Sequence, residues 1–146
     1  MKLKRIFVTF FLLISTAYSI ENDTLSLTIK VDKLQNSKGV VQFVLYDKEQ
    51  SIPDMNFEKY CQKGTAVITE KSASYTFESL PRGRYAVNIL HDENNNQKID
   101  KRFILPKEGF GFSNYNSLGF FNRPNFIKAS FELKTDSTIY VKINYL

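Results

Sequence analysis

One cysteine and one histidine in 146 residues remove several kinds of chemistry at the outset. With Cys61 alone no internal disulfide can form, so stability has to come from core burial. No histidine or acid adjoins Cys61 in sequence to activate its thiol, and it reads as a small buried apolar residue. With His91 alone there is no His-x-x-x-His pair, and a catalytic Zn²⁺ site has too few imidazoles to draw on. No Ser or Cys occupies a nucleophile elbow of the Gly-x-Ser-x-Gly kind. Lys and Arg form no cluster of the sort that tracks phosphates, which argues against nucleic acid as a partner. Long hydrophobic runs are also lacking. The longest, Ile6 to Ile14, falls short of the roughly 20 apolar residues that span a bilayer.

That run instead reads as part of an export signal over residues 1–19. Lys2, Lys4 and Arg5 supply a positive start, and Ala17-Tyr18-Ser19 places small residues where a signal peptidase reads. Cleavage before Ile20 leaves 20–146 as a single domain, periplasmic or secreted, without a transmembrane segment. No Cys stands at the cleavage point, so a lipoprotein is not expected. Loss of the three basic signal residues lowers the formal charge from +5 to +2, so the basic pI is partly a property of the signal.

The rest of the chain alternates with period two. Leu25, Leu27, Ile29 and Val31 are interleaved with Ser26, Thr28, Lys30 and Asp32, the pattern of a strand with one buried face. The cluster Gln35-Asn36-Ser37-Lys38-Gly39 predicts a turn, and Val40 to Asp47 a second strand, together a hairpin. Met55 to Lys63 reads as a short helical turn with Asp54 as its cap and Phe57 and Cys61 four apart. Thr65–Thr69, Ser74–Phe77, Arg84–Leu90, Phe126–Leu133 and Thr138–Leu146 read as further strands. The expected fold is all-β: an antiparallel β-sandwich of about seven strands, transthyretin-like or immunoglobulin-like, with one long Gly/Phe-rich loop from Lys107 to Phe121. Its core is expected to include Leu27, Val41, Phe43, Phe77, Tyr85, Val87, Val141 and Ile143.

The stretch His91 to Asp100 is the candidate site. Oxygen side chains fall at Asp92, Asn94, Asn96 and Asp100, a spacing that a loop tightened by left-handed residues turns inward onto one point. Hard cations such as Ca²⁺ take six to eight oxygens, often with a carbonyl at the seventh loop position, here Lys98. Glu108 could close such a site from the second loop. The twelfth position, where an EF-hand carries Glu, is Phe103, so this is not an EF-hand loop. The plain alternative is an Asn-rich turn whose side chains bond their own backbone. His91 reads as a rim histidine bonded to nearby backbone or carboxylate, or as a ligand or acid–base group. Phe110, Phe112, Ser113 and Asn114 lie on the expected rim beside it, in a segment where Gly109 and Gly111 let the backbone turn sharply.

Two resemblances follow from quoted residues. Tyr75-Thr76-Phe77, then Leu80-Pro81-x-Gly83-x-Tyr85 and an apolar strand, resembles a corner of transthyretin-like and related carbohydrate-enzyme-associated sandwiches, with Pro81 and a left-handed Gly83 making the turn and the Tyr entering the core. That corner, with His91-Asp92-Glu93-Asn94-x-Asn96-x-Lys98-x-Asp100 and Pro106-Lys107-Glu108-Gly109-x-Gly111-Phe112-Ser113-Asn114, resembles the bacterial exported family known as domain of unknown function 2141. The resemblance implies a fold and an exported compartment, and no reaction. It also implies Gly where this chain has Asn95 and Gln97, of which Asn adopts left-handed backbone more readily. Three functions fit these residues. One is a non-enzymatic module, Ca²⁺-stabilised at the loop, binding an unknown ligand or envelope protein. The second is a hydrolase-type enzyme using His91 with Asp92 or Glu108. The third is an adhesion or envelope-structural domain with exposed loop aromatics.

Overall fold

The fold is that of a computed structural model describing residues 24–102, 105–106, 108–119 and 121–145. The expected signal segment 1–19 and Phe103 lie outside the described residues. In chain order the elements are β1 (Leu25–Val31), β2 (Val40–Tyr46), β3 (Gln62–Val67), β4 (Ala73–Leu80), β5 (Gly83–Asp92), β6 (Lys101–Arg102), β7 (Leu105–Pro106), β8 (Phe110–Phe112), α1 (Phe126–Ala129), β9 (Phe131–Leu133) and β10 (Ser137–Tyr140). They form an all-β sandwich. One sheet has the order β10-β1-β4; the other runs β3-β2-β5-β8, with β9 also paired to β5. A two-residue hairpin, β6–β7, stands apart. No helix among the described residues is long and apolar enough to cross a membrane.

The alternation sets the faces. Leu27, Ile29 and Val31 of β1 and Phe77 and Leu80 of β4 meet Val41, Phe43 and Leu45 of β2 and Tyr85, Val87 and Ile89 of β5 in the inter-sheet core. All eight residues expected in the core are buried. Each such side chain withdrawn from water contributes roughly 1.5–3 kcal/mol. The opposite faces of β2 and β5 are buried as well. Val44, Tyr46, Ala86 and Leu90 pack beneath Phe112 of β8 and Tyr115, Phe126 and Ala129 from the chain that follows it. Burial on both faces explains why these two strands read as almost unbroken apolar runs rather than clean alternations.

Several expectations are corrected. β1 and β2 are not a hairpin; they lie in different sheets, and the turn between them crosses the sandwich with Leu34 buried and its N–H donated to the Lys71 carbonyl at 3.0 Å. The last strand is not antiparallel to its neighbour: β10 pairs parallel with β1. Met55 to Lys63 forms no helix, because Phe57 takes a left-handed φ of 54° that breaks a right-handed turn. Asp54 serves there as an acceptor for the Lys59 N–H at 2.9 Å and the Tyr46 hydroxyl at 3.3 Å. Cys61 is exposed rather than buried, with its thiol set on the Leu45 carbonyl at 3.3 Å. Partial withdrawal from water at that contact, and then the Asp47 carboxylate, push the thiol up to about 11, so it stays protonated and inert. The stretch from Phe126 opens as a helical turn, capped by Asn125 accepting from the Lys128 N–H at 2.9 Å, before β9 begins. The Gly/Phe segment is not wholly irregular: Phe110–Phe112 adds a strand to β5. Gly83 does not take the left-handed conformation; Ser79 does, at φ 58°. The tyrosine beside this corner behaves as expected, with Tyr85 buried and its hydroxyl donating to the Pro81 carbonyl at 2.9 Å.

Candidate functional site

β5 carries His91 inward, on the face it shares with Tyr85, Val87 and Ile89, so the histidine is buried rather than at an open rim. Its ring is held at both nitrogens. Nε2 faces the Lys38 carbonyl at 2.9 Å, and Nδ1 faces the Tyr145 hydroxyl at 2.8 Å. The carbonyl can only accept, so Nε2 carries the proton. The Tyr145 oxygen already receives the Gln35 N–H at 3.1 Å, so its own hydrogen goes to Nδ1. Neutral imidazole in this tautomer satisfies every partner, an assignment that rests on the network. Burial holds the Tyr145 hydroxyl above its usual pKa, which keeps it a donor. The histidine thus ties three segments together: the turn 35–39, the end of β5 and the chain after β10.

The next residue organises the loop. Asp92 is fully buried; its Oδ1 accepts the Asn96 N–H at 3.1 Å, and its Oδ2 accepts the Gln97 N–H at 2.7 Å and the Gln42 side-chain amide at 2.7 Å. Asn95 and Gln97 take left-handed φ values of 57° and 61°, which turns the intervening side chains inward. Asn94 Oδ1 accepts from the Asn96 N–H at 3.1 Å, and Asn96 Oδ1 from the Lys98 N–H at 2.8 Å. Both asparagine amides then converge on Asp100, at 2.6 Å from Asn94 and 3.0 Å from Asn96. Glu108 reaches in from beneath, accepting the Glu93 N–H at 3.1 Å and the Asp100 N–H at 3.3 Å. Burial pushes the Glu108 carboxyl above its usual range; the two N–H groups hold it back, and the charges of Asp100 and Asp92 add to the rise. At Glu93, partial withdrawal from water is outweighed by hydrogen bonds from Gln35 and Asn36, and the carboxyl sits below its usual range.

Asp92, Asn94, Asn96, Asp100 and Glu108 are therefore gathered around one loop, with the Lys98 side chain exposed. Among the described residues no three of His, Cys, Asp and Glu come together in a group that could hold a metal ion. The loop's oxygens are mixed carboxylate and amide, and each side-chain oxygen named above accepts an N–H.

The residues expected at the rim lie partly in the layer over β2 and β5 and partly against the end of α1. Phe112 is buried and Phe110 half-buried in the layer over β2 and β5. Ser113 Oγ accepts the Val87 N–H at 2.9 Å and donates to the Ala129 carbonyl at 2.7 Å. Asn114, at φ 60°, donates to the Ala129 and Ser130 carbonyls at 3.2 and 2.9 Å. Together they satisfy the carbonyls at the end of α1, where a helix leaves acceptors unpaired. The glycines of this stretch admit a neighbour rather than a sharp bend. A Cβ at Gly109 would collide with the Tyr145 ring, and one at Gly111 with the Lys142 carbonyl. Sequence reasoning missed Gln42, Lys38, Gln35 and Tyr145. Only Gln42 carried a signal, as a polar residue within the apolar run Val40–Tyr46.

A search of curated proteins gives no match, and a search of solved structures gives none. A family model described as "Uncharacterized protein conserved in bacteria" matches residues 29–140, which takes in both sheets, the loop and the Gly/Phe segment. The match spans most of the chain, and the chain belongs to the bacterial family known as domain of unknown function 2141.

Proposed function

We propose that the protein is an exported, non-enzymatic β-sandwich module that binds a ligand or an envelope protein, with the Asp92–Asp100 loop stabilised by Ca²⁺. The observation that carries the non-enzymatic part is the state of His91. A general base needs a ring nitrogen within reach of a substrate proton. Both nitrogens here are engaged inside the fold, by Lys38 and Tyr145. Asp92 and Glu108, the acids that a hydrolase reading would enlist, spend their oxygens on backbone N–H groups. The reading fails if His91→Gln abolishes a measurable hydrolysis of ester, peptide or glycoside substrates while leaving the melting temperature unchanged.

The calcium part draws support from the convergence of Asn94 and Asn96 on Asp100 at the water-facing side of the loop. A hard cation would displace the amide hydrogens that Asp100 accepts and take oxygens from these three side chains, with the Lys98 carbonyl expected as a further ligand from its seventh place in the loop. Asp92 and Glu108 would hold the frame. With few formal charges among the ligands, affinity is expected at roughly 10⁻⁴–10⁻³ M, the range of extracellular modules. Millimolar Ca²⁺ should raise the melting temperature of the wild-type protein, Mg²⁺ should do so poorly, and Asp100→Asn should remove the rise. An unchanged wild-type melting temperature in Ca²⁺ would leave a self-satisfied asparagine turn. Export is tested separately. Mass spectrometry of the protein from its native cells should find a chain starting near Ile20 outside the cytoplasm, and an intact start would overturn it.

A further inference from the structure

We draw no further inference here: the strongest candidate, the open groove of about 530 Å³ beside Lys30, Val31, Ala66, Val67, Thr69 and Tyr140 at the end of the sandwich, is a mostly apolar face, and nothing in the structure shows what covers it.

Discussion

Tyr145 has a job that its exposure alone does not reveal. Its hydroxyl accepts from Gln35 and donates to His91, so Tyr145→Phe strands one N–H and one ring nitrogen. Leaving partly buried polar groups unpaired costs about 1–3 kcal/mol, and urea unfolding should show a loss in that range. Glu108 and Glu93 act on stability in opposite pH windows. Glu108's folded pKa is raised, so ionisation weakens the fold: its contribution is full below its ordinary value of 4.5 and is lost as pH rises through the folded value. Glu93's folded pKa is lowered, so its contribution is present above 4.5 and is lost as pH falls through the folded value. Denaturant midpoints followed across pH should therefore lose their slope above 4.5 in Glu108→Gln and below 4.5 in Glu93→Gln. The reverse assignment would contradict the burial of Glu108 and the hydrogen bonds that Gln35 and Asn36 donate to Glu93.

The elements were unevenly legible. Period-two alternation identifies a face, and the residues it marked, from Leu27 to Ile143, are buried. It does not identify a partner. Both β1 and β2 present an apolar face to one core, and that face looks the same whether two strands are neighbours in a sheet or lie across the sandwich from each other. The parallel pairing of β10 with β1 was invisible for the same reason. Phe126–Ala129 is too short for a helical period to show, and its cap Asn125 sits among other loop-forming residues. Of the site, the inward turn of the loop was readable from spacing and left-handed residues, whereas the clamp on His91 joins Lys38 and Tyr145 from distant parts of the chain. Two glycines make the point testable. Gly111→Ala meets the Lys142 backbone and should destabilise by about 1–3 kcal/mol, as overpacking does. Gly83→Ala finds its nearest atoms on the Tyr85 ring at 3.6 Å, at a φ that any residue adopts, and should be close to neutral in a thermal melt.

At the scale of the molecule, the inter-sheet core is the main store of stability. Val87 is fully buried there, and Val87→Ala should cost about 1–3 kcal/mol by equilibrium unfolding, somewhat less than the larger Leu or Ile truncations. The same change should leave any calcium response intact, since Val87 lies on β5 away from the loop. The parallel pairing of β10 has a consequence for biogenesis. β1 takes one of its two neighbours from Ser137–Tyr140, so the sheet begun by the first described strand waits for one of the last. The clamp on His91 waits longer still, for Tyr145. A chain emerging from the ribosome therefore cannot close its first sheet until nearly all of the described sequence has been made. Under the export proposed above, late closure keeps the unfolded thread passable through a membrane, and it leaves any prematurely terminated product open to proteolysis.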